Sequence, residues 1–482
     1  MNLIDIAISY FSPRAAFERI LFRNKVRSYE AASSGRRAKS FDKAQSTGPN
    51  IEVGTALHRL RDRSRWFVRN NGWATRALNV LTDNTVGEGI RPAPQGTRNQ
   101  VKKAKQLWKQ WAESTACDFN EKLTFYGLQQ LAARTIYEAG EVLIIRRRVK
   151  PTPSNPFPIR LQILEPDQIA DVKDNIFYPD GGWCRLGVEF DKDGRLKGYW
   201  IYEKHPTDGM AIFKSLVPIF IAKEDCIHVY ELLRPGQCRG VPQGIASFLK
   251  LSDFSDYEDA QLIRQKIASL FVAFISGEGD VSEDLYERME PGTIRHMEPG
   301  ENVSFGDPPT AEGYDAYSKR ILQGIAASYS ITYEQLTMDY SNVNFTSGRM
   351  AKIDVSGRLK NLQYNMLVPQ LCVNVWDWFM DATVMSGLTN TRISCSATDW
   401  TAPRVQLLDP TKETNAMVLQ IQSGLKTLSE TLREQGEDPD EHFEEIKTER
   451  EKLKEMGINL SSIQLIPEPI DNSNTEKNAK GN

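Results

Sequence analysis

A run of about thirty residues, Ile245 to Ile275, contains neither glycine nor proline and carries Phe248, Leu251, Phe254, Ile263, Ile267, Leu270, Phe271 and Phe274 as apolar landmarks. It predicts one long helix of roughly 45 Å, longer than an ordinary globular helix and suited to joining separate regions or subunits. The next segment constrains the chain further. Residues 277–310 hold nine acids (Glu278, Asp280, Glu283, Asp284, Glu287, Glu290, Glu298, Glu301 and Asp307) against Arg288 and Arg295, and a second helical stretch, Tyr314–Tyr329, comes after them. Two helices thus bracket a small acidic module.

The remainder divides by pattern. Val101, Ala104, Leu107, Trp108 and Trp111 recur at helical spacing, as do Leu128, Leu131, Ala132, Thr135 and Ile136. After Gly140, VLIIRRRV and IRLQIL flank the proline-laden KPTPSNPFP, and GVEF and LKGYWIY flank DKDG, so hairpins replace helices. The stretch MDYSNVNFTSGR breaks helical periodicity, and a helix from about Met350 to Phe379 succeeds it, with Pro369 expected to kink it. Thr411–Gln435 and Pro439–Met456 read as a charged helical pair split by GEDPD. With mixed helices and hairpins, the fold class is α+β.

Charge is uneven along the 482 residues. The total is −3, but residues 1–70 carry 14 Lys/Arg against 6 Asp/Glu, which reads as a flexible basic arm around Arg36, Arg37 and Lys39. Residues 409–482 hold 16 acids and 9 bases and finish in DNSNTEKNAKGN, a string too poor in apolar surface to fold. No apolar run approaches a membrane span, and the opening MNLIDIAISYFSP lacks the basic start of a secretion signal, so a soluble chain that is not exported is expected. Six cysteines without a CxxC pair argue against a disulfide scaffold or zinc knuckle and suggest a reducing compartment.

Catalytic signatures are scarce. Nothing fits GxxxxGK[ST], Gly87-Glu88-Gly89 lacks the third glycine of a dinucleotide loop, and no GxSxG elbow occurs. His58, His205, His228, His296 and His442 are dispersed and form neither HxH nor HExxH, while Asp191, Asp193 and Gly194 suit a tight turn better than a calcium loop. No enzyme activity, metal or cofactor is expected. A DNA-processing enzyme subunit and a monomeric adaptor remain as alternatives; the first requires metal-dependent cleavage, the second a mass near 54.6 kDa.

The stretch RDRSRWFVRNNGWATRALNVLTDNTVGEGIRP (61–92) resembles the phage portal proteins of the lambda-like family, with its helix, Arg69-Asn70-Asn71-Gly72 junction, second helix and glycine exit. The order continues through LQILEPDQI (161–169), IHVYELLRPGQCRGVPQGIASFLK (227–250) and YSKRILQGIAASYSITYEQLTMDYSNVNFTSGRMA (317–351), and the likeness covers roughly residues 55–455. This resemblance implies a ring, usually of twelve subunits, at one capsid vertex, through which double-stranded DNA enters and leaves. It further implies docking of the terminase large subunit and a head–tail connector protein, contact with major capsid and scaffold proteins, and no membrane. The expected location is the virion, and the host cytoplasm during assembly.

By the same resemblance, residues 51–240 are the first part of the wing, 241–276 a stem helix and 277–310 the acidic clip, while charge alone marks residues 1–50 as a basic arm. Residues 311–335 form the second stem helix, 336–348 the tunnel loop, 349–408 the kinked spine helix and return of the wing, and 409–460 a helical crown; composition, not the resemblance, marks 461–482 as a disordered tail. Two residue groups are candidate sites. Asn342, Asn344 and Thr346 can hydrogen-bond phosphates and Arg349 and Lys352 can attract them, without reading sequence; an ordinary loop, with Arg349 paired across a subunit boundary, is the alternative. The acids Glu278, Asp280, Glu283, Asp284, Glu287 and Glu290 either ring the lumen, where they repel DNA toward the axis, or form an outer docking rim.

Overall fold

The computed structural model describes residues 47–153, 155–208, 217–269, 273–276, 302–305, 313–390, 392, 400–403, 410–437 and 439–457. Residues 1–52 and 53–482 are separate units. In the first, Thr47 Oγ1 donates to Glu52 Oε1 at 2.5 Å. The second carries the fold.

Helix α1 (Pro49–Asn70) stops where Asn71 takes extended backbone and caps α2 (Gly72–Thr85), its Oδ1 accepting from the amides of Trp73 and Ala74 at 3.0 and 3.1 Å. Asn at this position satisfies two of the amides that a helix start leaves without partners. After the two-residue strand β1 (Arg91–Pro92), helices α3 (Arg98–Ala112) and α4 (Phe125–Ala139) bury most of the faces that their periodicity predicts; Leu131, expected inside, is exposed because the buried stripe of α4 runs through Leu128, Ala132 and Ile136 instead. Trp108 is the hub, with ring centroids 5.0–5.5 Å from Trp111, Phe125, Trp376 and Phe379. Edge-to-face and tilted contacts of this kind add to the burial of large apolar surface.

Both expected strand pairs form. β2 (Glu141–Arg148) lies between β3 (Ile159–Leu164) and β9 (Cys226–Tyr230) in a three-stranded antiparallel sheet. A five-stranded antiparallel meander, β4 (Ile176–Phe177), β5 (Trp183–Arg185), β6 (Val188–Phe190), β7 (Leu196–Ile201) and β8 (Ile219–Ala222), packs a second core around Leu143, Leu186, Val188 and Ile201. The free edge of β9 is closed by a side chain: Tyr230 N–H donates to Gln370 Oε1 at 3.0 Å, and Gln370 Nε2 donates back to Tyr230 O at 3.1 Å.

The thirty-residue helix is shorter than its sequence suggests. Helix α5 (Phe248–Ser269) ends early, and Ala273–Ser276 is strand β10, paired antiparallel with β11 (Asn302–Phe305). The closing LFVAFI is rich in aromatic and β-branched residues, so pairing ends the helix without a glycine or proline. Helix α6 (Tyr314–Ser328) then runs antiparallel to α5. Tyr257 packs on Tyr314 and Tyr317 at 5.8 and 4.9 Å, while Gly244, just before α5, lies against Tyr329, just after α6.

The segment expected to continue as the second stem helix breaks at Ser330 (φ +57°), and α7 (Tyr333–Thr337) restarts behind a Thr332–Gln335 capping box. Helix α8 (Phe345–Leu362) begins five residues before the expected Met350. Pro369 produces a π-helical segment, Gln363–Cys372, whose wider turns accommodate a residue with no amide hydrogen, and α9 (Val373–Met385) completes the run. β12 (Trp400–Thr401) pairs with β1. The first member of the charged pair is two helices, α10 (Pro410–Gln422) and α11 (Leu428–Glu434), separated by Gly424 at φ +72° and the Thr427 cap; α12 (Pro439–Glu455) is the second.

Candidate functional site

The RGVP turn leads to the start of α5, and it is held there by a buried charge cluster. Gly140 adopts φ +94°, ends α4 and places Glu141 at the first position of β2. The backbone of Gly240 runs so close that a Cβ there would sit 2.1 Å from Gly140 O, and only glycine permits the approach. Gly240 N–H consequently donates to Glu141 Oε2 at 2.7 Å. Arg239 Nε donates to Oε1 at 2.8 Å, while its Nη1 and Nη2 reach Leu186 O and Pro166 O at 2.8 and 3.1 Å. Arg61 of α1 pairs with the same Oε1 and donates from Nε to Ala139 O at 3.0 Å.

His228 of β9 completes the set with Nε2 2.8 Å from Glu141 Oε2; since a carboxylate accepts, Nε2 carries the proton. These four side chains are at most 2% exposed. Burial alone would raise the Glu141 pKa, but Arg239, Arg61 and His228 outweigh it and hold the carboxyl well below its usual range. Burial lowers the His228 pKa; its bond to Glu141 opposes this, and Arg239 and Arg61 reinforce it, so the imidazole stays neutral. Burial brings Arg61 down to about 10, still charged at neutral pH. Every partner is satisfied inside the cluster, so its work is positioning: it fixes the turn, whose Gln243 N–H reaches Tyr137 O at 3.0 Å, and hence the start of α5.

The loop between α7 and α8 has its own local order. Met338 turns the chain at φ +59°, and Asp339 Oδ1 accepts from Ser341 N–H and Oγ–H at 3.1 and 2.5 Å, which lowers the Asp339 pKa. Asn344 caps α8, accepting from Ser347 N–H at 2.8 Å while Ser347 Oγ accepts from Asn344 N–H at 3.1 Å. Asn342, Asn344 and Thr346 are all exposed around this loop and first turn. The other two candidates lie on the next turns of α8. Arg349 shares an exposed helix face with Met350 and Ile353, which are 66% and 58% exposed, and Lys352 is turned away from that face, half-buried and engaged in an interaction of its own.

The candidate acids Glu278, Asp280, Glu283, Asp284, Glu287 and Glu290 lie outside the described residues. One possible metal group occurs among the described residues: Glu165, Asp167 and His205 have ligand atoms within 4.8 Å of one another. Arg65 occupies it, with Nη2 2.6 Å from both carboxylates, so a side-chain cation already neutralises the acids. Among the described residues no helix is long and apolar enough to cross a membrane.

The charge cluster is the feature that motif reading missed. Its signal was present as Glu141 opening the apolar strand EVLII and as His228 within IHVY, charged or polar residues where a buried strand has no solvent to satisfy them.

Known proteins resemble this chain along most of its length. It is 24% identical over 462 residues to the "Probable portal protein" of Halomonas phage phiHAP-1, covering 90% of this chain and 88% of that protein. It is 21% identical over 465 residues to "Portal protein B" of Escherichia phage lambda, covering 85% of each. A chain in the structure titled "Neck of native GTA particle computed with C12 symmetry" superposes with a TM-score of 0.47 and 13% identity, covering 82% of this chain and 95% of that one. Residues 34–363 match the family described as "Phage portal protein, lambda family". That span is well over half of the sequence and contains the Asn71 corner, the RGVP turn and the α5–α6 pair, and the chain therefore belongs to the lambda family of phage portal proteins.

Proposed function

We propose that twelve copies of the chain form a ring at one vertex of a phage capsid and pass double-stranded DNA during packaging and ejection. The observation that carries this reading is the antiparallel pair α5–α6 flanking the β10–β11 hairpin, anchored at its base by the Glu141 cluster. A helix pair projecting a hairpin from a mixed α/β body gives each subunit a stem, with the wing at one end and the clip at the other. In this reading residues 51–240 and 349–408 are wing, α5 and α6 the stem, the segment around 277–310 the clip, 336–348 the tunnel loop and 409–460 the crown. The protein is a conduit. The motor is the terminase large subunit, which docks on the ring, as a head–tail connector protein does later; major capsid and scaffold proteins surround it. It works in the virion, after assembly in the host cytoplasm.

Asn342, Asn344 and Thr346 make the lumen contacts. Neutral hydroxyl and amide groups hydrogen-bond phosphate oxygens without releasing many counterions, so each contact is weak and DNA keeps moving. Native mass with particle images tests the reading: twelve times 54.6 kDa, about 655 kDa, with a central hole is the expected result. A chain that stays monomeric with scaffold and capsid proteins added overturns it. For the loop, Asn342→Lys with Thr346→Lys should tighten DNA binding by the ring and slow packaging; unchanged binding removes these residues from the lumen.

A further inference from the structure

Among the described residues, two exposed helix faces lack partners that their composition calls for. On α5, Leu249, Asp253, Asp256, Ala260 and Ile263 lie within about 40° of one line along the helix. Leu249 is 74% exposed and Ile263 56%, with both aspartates outward between them, while Phe248, Leu251 and Phe254 bury the other side. On α8, Arg349, Met350, Ile353, Gly357 and Lys360 share one exposed face, and Val355 and Leu362 pack inward. Asp354 stands at the margin of that face. One surface is acidic with apolar ends; the other is basic at its ends with an apolar centre.

We propose that the α5 face of one subunit receives the α8 face of a second copy of this chain. The inference rests on the ring reading and deepens it by naming the contact. DNA matches neither surface as a whole: the α5 aspartates repel phosphate, and the apolar centre of the α8 face, Met350 and Ile353, offers it nothing between the two cations. A second copy satisfies both, since opposite charges meet and four large apolar side chains leave water. The two faces are different parts of one chain, so the contact can repeat head-to-tail from copy to copy, as a closed ring requires. Complementary charge also sets partner and register, since acid meeting acid or base meeting base is unfavourable. Arg349 is thereby assigned to the neighbouring subunit and not to DNA.

The test uses the full chain with Ala260→Cys and Gly357→Cys together. Both positions are exposed or open, a Cβ at Gly357 meets nothing within 4 Å, and the native cysteines among the described residues are buried. A short bismaleimide should yield a ladder of covalent oligomers on a denaturing gel, absent from the wild type and from each single variant. Separately, Asp253→Lys with Asp256→Lys should lower the ring fraction roughly tenfold at equal concentration, and adding Arg349→Asp with Lys360→Asp should restore it. A wild-type ring whose double-cysteine form gives no ladder, or whose mass survives the aspartate reversal, overturns this docking and leaves the ring intact. A wild-type chain that never forms a ring overturns both.

Discussion

Replacing Glu141 with glutamine is the most direct way to weigh the buried cluster. The carboxylate accepts from Arg61, Arg239, His228 and the Gly240 amide, all within a site at most 2% exposed. Glutamine has nearly the same volume but no charge, so two guanidiniums are left buried beside each other without a counter-ion. Its amide nitrogen also has to face donors, the Gly240 N–H among them. Breaking a buried pair by removing one partner costs about 3–5 kcal/mol, against a total stability on the order of 5–15 kcal/mol for a domain. At about 2 °C per kcal/mol for a large domain, the melting temperature should fall by roughly 6–10 °C.

Thermal unfolding followed by near-ultraviolet circular dichroism reads this directly, because Trp108 and Trp111 report core packing. Glu165→Gln is the control: its carboxylate also binds an arginine but is half-exposed, and the expected cost is below about 1 kcal/mol. Arg239→Met should then hurt the Glu141→Gln protein less than the wild type, since it removes one uncompensated charge. If Glu141→Gln melts within about 2 °C of the control, no more than the shift of a single kcal/mol, the cluster is not what holds the RGVP turn, and the account of how α5 is anchored fails.

Gly240→Ala should be more damaging, because its methyl meets Gly140 O at 2.1 Å, whereas Gly357→Ala meets nothing and should stabilise α8 by up to about 1 kcal/mol; soluble yield and melting temperature separate the two. Asn344→Ala removes the cap of α8 and should cost about 1 kcal/mol, with faster hydrogen exchange at Ser347 as the local readout. Glu141 and His228 both hold their protons less tightly folded than unfolded, so the unfolded chain binds more protons and stability rises with pH. The His228 part is complete above its ordinary pKa of 6.5 and is lost as pH falls below it, while the Glu141 part persists to far lower pH. Melting temperature should therefore drop between about pH 7.5 and 5 in the wild type and drop less in His228→Gln; equal slopes refute the assignment.

The elements that sequence made legible are those with local causes. Helical spacing at Trp108 and Trp111, alternation in IRLQIL and the DKDG turn each act within a few residues, and each yields the expected element. The early end of α5 was not legible, since the strand preference of Phe274 and Ile275 takes effect only with a partner, and that partner, Asn302–Phe305, lies far along the chain. The loop candidates, by contrast, are local: Asn342, Asn344 and Thr346 come together because they are close in sequence, and Arg349 and Lys352 differ in exposure although they are one helical turn apart. Arg61, Glu141, His228 and Arg239 come from four segments, and no one-dimensional motif announces their meeting.

Gln370 closes the β9 edge in a way that bears on the chain before it has neighbours. A side-chain amide presents the same donor and acceptor pair as a peptide unit, so Tyr230 finds its next strand in a single residue. Sheet edges are templates for indiscriminate pairing between copies, a hazard for any protein that must reach high local concentration while it waits to be incorporated. An incoming strand would have to displace both of these bonds at once. Self-association by backbone addition is thereby disfavoured at this edge, leaving side-chain recognition to decide which copies meet.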